Sequence, residues 1–171
     1  MPIRTCAALC LTAGAAWMDI RSTKVKNSWI AGWILVGSIL QLAGADPPAI
    51  GRLLAGMAAP LILYPLFFFR MMGAGDIKVL MALGILTGPG DILSCMFFTF
   101  LIAGAMSLIL FLIQGGFADR LRYFFHYSLV YLHTGKKHPY TQAGDPAGLH
   151  MTIPIFLTAI LWSGGLIPIG G

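Results

Sequence analysis

The sequence predicts an all-α integral membrane protein, a polytopic bundle of about six transmembrane helices with one further amphipathic helix at the membrane surface. Hydrophobic residues make up 58% of the chain and charged residues only 10%, whereas soluble domains carry about 25% charged residues. The mean hydropathy is +0.84. The apolar residues form runs of helical length, and most Lys and Arg residues lie in the loops between them. Together these observations exclude a soluble globular domain.

The predicted spans are apolar runs that end at charged or turn-forming residues. Asp19 closes the first run, and the breaker Thr87-Gly88-Pro89-Gly90 closes the fourth. A hydrocarbon core demands ~20 apolar residues, so the fourth run is short. In chain order the six runs are about Thr5–Met18, Trp29–Ala43, Leu53–Phe69, Ile77–Leu86, Ile92–Ile113 and Met151–Ile169.

The distribution of basic residues predicts the orientation of these spans. Cytoplasmic loops retain an excess of Lys and Arg. Nine basic residues fall on one side of the six-span arrangement and only Arg4 and Arg52 on the other, which predicts both termini outside and the segments Asp19–Ser28, Arg70–Lys78 and Phe117–His150 at the cytoplasmic face. The nine are Arg21, Lys24, Lys26, Arg70, Lys78, Arg120, Arg122, Lys136 and Lys137.

The amino terminus has an alternative interpretation as a signal peptide. Arg4, a brief apolar stretch and the small residues Ala13-Gly14-Ala15 fit that pattern. The apolar run continues through Trp17 and Met18, however, and the basic residues that follow are typical of a retained cytoplasmic loop. We therefore predict a retained first span.

A segment between the last two spans has a different pattern. As a helix, Phe117–His133 places charged and His residues on one stripe and aromatic and Leu residues on another, which predicts an interfacial amphipathic helix. The polar segment Thr134–Leu149 then predicts a cytoplasmic loop. The four histidines show no ligand spacing with Cys or acidic residues, so they are interpreted as solvated loop or interface residues and no metal is predicted.

The acidic residues can be considered one by one, because all six are aspartates. Asp46, Asp91 and Asp145 stand in Gly- and Pro-rich turns. Asp119 belongs to the polar stripe of the amphipathic helix. The net charge of +5 arises from loop residues rather than from a basic stripe with interleaved aromatics, so no nucleic-acid partner is predicted. Asp19 and Asp76 are left as candidate functional residues.

Asp76 follows two glycines in Gly73-Ala74-Gly75-Asp76-Ile77-Lys78. Its simplest structural interpretation is an N-cap at the start of the fourth helix. Ile77–Leu86, however, supplies only ~15 Å of the ~30 Å hydrocarbon core. If the breaker after this helix lies near the outer surface, Asp76 is sunk below the cytoplasmic surface, where an ionisable side chain indicates function.

Asp19 has a structural interpretation of its own, as a charge that ends the first span. Pairing with Asp76 gives it a chemical interpretation. Two neighbouring buried carboxyl groups share one proton at neutral pH, because the charge of one raises the pKa of the other. The ionised group can take a proton from an attacking water while the protonated group donates to the carbonyl oxygen. Gly73 and Gly75 lack side chains, so an extended peptide could approach the acid closely.

Both aspartates lie in motifs that resemble a known family. Gly73-Ala74-Gly75-Asp76-Ile77-Lys78 resembles the GxGDxK signature of the aspartic prepilin peptidases, which trim type IV pilin precursors. Asp19-Ile20-Arg21-Ser22-Thr23-Lys24-Val25-Lys26-Asn27 resembles the first-aspartate motif of that family, with Asp19, Arg21 and Asn27 in register. Lys26 departs from it, because a proline or small residue is usual there.

The resemblance implies a membrane aspartic endopeptidase that needs no cofactor, with Asp19 and Asp76 as its catalytic dyad. The three cysteines include no paired Cys-x-x-Cys motifs, so the chain looks like a short, Flp-type (tight-adherence) member with one domain over residues 1–171 and no amino-terminal zinc module. The implied substrate is a prepilin whose leader lies at the cytoplasmic face of a bacterial inner membrane. Whether this form also methylates its product stays open, as does its oligomeric state.

Basic residues near the dyad suggest how such a substrate is captured. Arg21, Lys24, Lys26 and Lys78 could attract an acidic residue near the leader junction. Lys78 could instead tune the dyad. Two opposed interpretations stay open: a non-catalytic membrane protein, either a proton-coupled transporter or a pilus-assembly partner, and a protease of the presenilin kind, whose first aspartate follows Tyr where this chain has Met18.

Overall fold

The computed structural model describes residues 2–22, 25–43, 49–68, 72–113 and 150–167, and within these ranges the chain forms helices and turns without a strand. The predicted amphipathic helix Phe117–His133 and the loop Thr134–Leu149 lie outside the described residues, as do Lys24 and Arg70. The helices are α1 (Pro2–Ser22), α2 (Asn27–Ala43), α3 (Ala49–Ala58), α4 (Tyr64–Phe68), α5 (Ala74–Thr87), α6 (Pro89–Ile113) and α7 (Thr152–Ser163), with a 3₁₀ turn at Ala59–Leu63 between α3 and α4.

The predicted all-helical membrane fold is confirmed. Within the described residues, three helical stretches are long and apolar enough to cross a bilayer: Ile3–Ser22, Ala49–Phe68 and Pro89–Leu110. The other helices are shorter, with 17 residues in α2, 14 in α5 and 12 in α7. The fourth predicted span is therefore a short helix, as expected, although it begins at Ala74 rather than Ile77.

The chain divides into two compact units, residues 1–103 with 150–171 and residues 104–149. The described part of the second unit is the carboxyl-terminal end of α6. The first unit holds the rest of the described residues and all of the residues discussed below.

Helix α5 lies at the centre of the first unit. It packs against α1, α2 and α3, and Val79, Leu80, Ala82, Leu83 and Ile85 are fully buried. The apolar residues of α5 lie on all of its faces, a pattern typical of a helix enclosed by other helices. Its burial fixes the position of its first turn, where Asp76 lies.

Two features of backbone geometry set the position of α5. Gly56 of α3 and Gly84 of α5 approach so closely that a Cβ on either residue would meet the carbonyl oxygen of the other. Small residues allow such close helix crossings. At the far end, Gly88 has a φ of 95°, which favours glycine. The chain turns there and α6 begins at Pro89, a residue suited to a first helical position.

Polar contacts join the helices at the end of the bundle opposite Asp76. The Arg4 guanidinium donates to the Leu40 carbonyl oxygen at 3.2 Å. The Trp162 indole donates to Asp91 Oδ2 at 3.1 Å. The interpretation of Asp91 as a simple turn residue is therefore wrong: Pro89 begins α6, so Asp91 lies in its first turn and joins α6 to α7.

Candidate active site

At the other end of the first unit, four ends of the described helices come together. They are the carboxyl terminus of α1 and the amino termini of α2, α5 and α7, and side chains from these ends make hydrogen bonds between helices. This end carries Asp19 on α1 and Asp76 on α5. The two motifs, 57 positions apart in the sequence, therefore belong to one cluster.

Asp19 lies within α1, which continues to Ser22, so its charge does not end the helix. Its side chain is only 13% exposed. The Thr152 hydroxyl donates to Asp19 Oδ2 at 2.7 Å, and His150 Nδ1 lies 3.1 Å from the same oxygen. A carboxylate oxygen with two such neighbours is well held in one orientation, since hydrogen bonds to an ionised group are the stronger kind.

Asp76 is the third residue of α5, and the N-cap is Gly73, with extended backbone angles of φ −74° and ψ 145°. The interpretation of Asp76 as the N-cap is therefore wrong by three positions. The carboxylate instead reaches back to the N-cap, where the backbone N–H of Gly73 donates to it. This is one half of the capping-box arrangement, and it holds the Asp76 side chain beside the glycine turn.

The two carboxyl groups interact electrostatically. Asp76 precedes the apolar part of α5, and burial raises its pKa, with a further increase from the charge of Asp19. The Gly73 backbone hydrogen bond and the charge of His150 act in the opposite direction, and the net result is a pKa of about 6. Asp76 therefore retains a proton more readily than an ordinary carboxyl group.

A hydrogen bond joins the two motifs directly. Lys78 Nζ on α5 donates to Asn27 Oδ1 on α2 at 3.1 Å, and both side chains are exposed. Lys26 contributes its backbone, since its carbonyl oxygen accepts from the N–H groups of Trp29 and Ile30 and so begins α2. The departure from the family pattern at this position is therefore compatible with the helix start.

Three further residues that the sequence predicted for the site have different surroundings. The Arg21 guanidinium lies 4.6 Å from the centre of the Trp17 ring, as a cation–π contact. A Cβ added at Gly75 would meet nothing within 4 Å, whereas one added at Gly73 would lie 3.0 Å from Asp76 Oδ2. Gly75 therefore presents an open side, and Gly73 makes room for the carboxylate.

His150 and Thr152 are the residues that sequence reasoning missed. His150, interpreted with the other histidines as a solvated loop or interface residue, is partly exposed and contacts Asp19. His126, His133 and His138 lie outside the described residues. His150 and Thr152 stand 131 and 133 positions from Asp19 and belong to no motif, so no local signal in the sequence identifies them. In the described ranges, no three His, Cys, Asp or Glu side chains are placed to hold a metal ion.

Comparison with known proteins gives one match. A family model described as the type IV leader peptidase family matches residues 6–112, which is well over half of the chain and includes both aspartates. The match ends before α7, so it does not include His150 or Thr152. No curated protein and no solved structure matches the chain.

Proposed function

The chain belongs to the type IV leader peptidase family, and on that basis we propose that it is a membrane aspartic endopeptidase that removes the short leader from Flp-type prepilins. In this proposal Asp19 and Asp76 activate a water molecule at the cytoplasmic face of the bacterial inner membrane, and both termini of the chain lie outside. The observation that carries the aspartic mechanism is that Asp19 on α1 and Asp76 on α5, which are far apart in the sequence, belong to one cluster of helix ends.

The chemistry is a direct hydrolysis with one proton shared by the dyad. The ionised carboxylate takes a proton from water as the water oxygen bonds to the scissile carbonyl carbon. The protonated carboxyl donates its proton to the carbonyl oxygen, which gives a neutral gem-diol. When the C–N bond breaks, the proton taken from water passes to the leaving amine and a gem-diol hydroxyl returns its proton to the dyad. Atoms and charge balance without a metal or a covalent intermediate.

The surroundings of the dyad support peptide binding. The open side of Gly75 gives an extended backbone access to the first turn of α5. The short helix α5, about 21 Å long for its 14 residues, supports a position of Asp76 below the membrane surface. The apolar helix of a prepilin would remain in the bilayer while its leader junction reaches this end of the bundle.

Co-expression with a tagged Flp-type prepilin in bacterial membranes tests the proposal. The wild-type chain should convert the prepilin to a shorter form, and Asp19→Asn or Asp76→Asn at equal protein levels should abolish the conversion. If both variants still cleave, or if the wild-type chain leaves prepilins intact, the protease proposal fails and a proton-coupled or assembly role becomes the better account.

A further inference from the structure

We infer that His150 and Thr152 are positioning residues that orient Asp19 as a hydrogen-bond acceptor, which makes Asp19 the base that takes the proton from water and Asp76 the acid that donates to the carbonyl oxygen. This inference rests on the proposed function and divides its two chemical roles between the two aspartates. The family match ends at residue 112 and so assigns no role to either positioning residue.

The hydrogen bonds to Asp19 run from His150 and Thr152 to the carboxyl group. A hydroxyl beside a carboxylate donates, so Thr152 Oγ1, at 2.7 Å from Asp19 Oδ2, supplies one proton to that oxygen. His150 Nδ1, at 3.1 Å, supplies a second when its Nδ1 carries hydrogen, which is so in the imidazolium and in one neutral tautomer. Two donors on one oxygen hold that oxygen in place as a hydrogen-bond acceptor.

The Asp19 carboxyl group is held in one orientation. Within the described residues both donors meet Oδ2, which leaves Oδ1 as the oxygen for an attacking water. The Asp19 side chain is 13% exposed and that of His150 is 35% exposed, so the described residues do not close the site completely. In the proposed reaction, water approaches a carboxyl group that is held in place.

The two donors are themselves held in place. Thr152 begins α7 and is 1% exposed. The His150 carbonyl oxygen accepts from the Ile153 N–H at 3.1 Å, which fixes the residue against the first turn of α7. Because α7 packs along α1, both donors come from an element whose position relative to Asp19 is set by helix packing.

The surroundings of Asp76 favour its protonated form. It is held by the Gly73 backbone, while burial and the charge of Asp19 raise its pKa to about 6. Among the described residues, the charged groups that interact with His150 from the helices packed on α7 are Asp19 on α1 and Asp76 on α5. An Asp19 held as an acceptor beside an Asp76 that keeps its proton to higher pH than an ordinary carboxyl group is the asymmetric pair that the reaction needs.

Matched substitutions test this division of roles. Thr152→Val removes the hydroxyl at nearly constant volume, whereas Thr152→Ser keeps it. His150→Ala removes the ring, whereas His150→Asn keeps an N–H donor near the position of Nδ1. Each purified variant, in lipid nanodiscs, is given a full-length prepilin, and kcat, KM and the pH profile of kcat are measured between about pH 5 and pH 9.

We expect Thr152→Val and His150→Ala to lower kcat about tenfold each, the usual effect of losing a hydrogen bond to a charged group, with KM nearly unchanged. Thr152→Ser and His150→Asn should restore most of kcat.

Two results would overturn the inference while the proposed function stands. One is wild-type kcat in both Thr152→Val and His150→Ala. The other is an equal loss in the conservative variants, which would assign the effect to packing. A wild-type chain that fails to cleave, or Asp19→Asn and Asp76→Asn variants that cleave normally, would overturn the proposed function and this inference with it.

Discussion

When the Asp76 carboxyl group is ionised, its burial lowers the stability of the folded protein. Its pKa is raised from the ordinary value of 3.8 to about 6, first by burial and then by the charge of Asp19. A carboxyl group whose folded pKa lies above its unfolded pKa binds protons better in the folded state, so its charge destabilises the fold as pH rises. The destabilisation is absent below about pH 4, grows up to about pH 6 and is fully present above that.

We therefore expect Asp76→Asn to stabilise the protein at neutral pH. The unfolding temperature of the variant should exceed that of wild type by at least about 2 °C at pH 7.5, and the difference should disappear near pH 4, where both side chains are neutral. Thermal unfolding in detergent, followed by tryptophan fluorescence, measures it. A variant that is less stable than wild type at pH 7.5 would contradict the assignment of a buried, proton-retaining Asp76.

The glycines before Asp76 make a second prediction at this scale. A Cβ at Gly75 meets open space, so Gly75→Ala should leave the unfolding temperature unchanged or higher, yet lower kcat/KM about tenfold if that space receives the substrate backbone. Gly32→Ala on α2, where a Cβ also meets nothing within 4 Å, is the matched control and should cleave normally. Normal cleavage by Gly75→Ala would exclude the approach of substrate at this position.

The residues that form the candidate site were predictable only in part. Asp19, Asp76, Lys78 and Asn27 lie in two local motifs, and the Lys78–Asn27 hydrogen bond joins the motifs as one unit. Thr152 has no such signal, because a hydroxyl more than a hundred positions from Asp19 acquires its role only when α7 packs on α1. Contacts that depend on helix packing leave no trace in local sequence.

Helix α5 was also predictable from the sequence only in part. Its apolar run predicted a short span, and its end at Thr87 follows from the Gly88-Pro89 turn. Its start was misplaced, because Ala74 and Gly75 do not read as helical in a glycine turn. Gly73 serves as the N-cap, so Ala74 and Gly75 belong to the helix. Asp76 therefore lies in the first turn and not at the cap position.

The close crossing of α3 and α5 makes a prediction at the scale of elements. Gly84→Ala or Gly56→Ala places a Cβ against a backbone carbonyl oxygen, and overpacking of this kind costs about 1–3 kcal/mol. We expect a lower unfolding temperature for both variants, measured as for Asp76→Asn, whereas Gly32→Ala should not lower it. Equal stability of Gly84→Ala and Gly32→Ala would contradict the crossing geometry.

The charge distribution of the whole molecule makes a prediction about substrate capture. Arg21 and Lys26 are exposed at the end of the unit that carries Asp19, and Lys24 lies outside the described residues. We expect Lys24→Gln with Lys26→Gln to raise KM more than it lowers kcat, and raised salt to weaken the wild-type enzyme in the same way. Arg52→Gln, which removes a positive charge from an exposed position on α3, is the control for loss of charge elsewhere in the unit. An unchanged KM in the double variant would contradict the hypothesis that these basic residues capture the substrate.

The orientation of the molecule in its membrane is also testable. In a background with Cys6, Cys10 and Cys95 replaced by Ala, we expect a membrane-impermeant maleimide to label Leu166→Cys in intact spheroplasts, since Leu166 is 73% exposed beyond the end of α7. Ser28→Cys, exposed in the first turn of α2, should react only after the membranes are opened. The reverse pattern would place the dyad outside the cell and contradict the positive-inside prediction.

The helical membrane fold of the whole molecule was the feature that the sequence predicted best. Apolar runs predicted the helical membrane fold, because every backbone polar group in lipid must be satisfied internally. The lengths of individual helices were less predictable. Neighbouring helices, rather than lipid alone, enclose α5, so its length does not have to match the bilayer.

The most direct test of the account is a single-turnover cleavage of a full-length Flp-type prepilin by the purified chain, with the product mass measured. Wild type and Asp91→Asn, which alters an acid at the opposite end of the unit and keeps an acceptor for Trp162, should both release the mature pilin by one cut at the end of the leader. Asp19→Asn and Asp76→Asn should each slow this cut at least about a hundredfold. Wild-type rates in either of these two variants, or no cut by the wild-type chain, would contradict the claim that the two aspartates form the catalytic dyad of a leader peptidase.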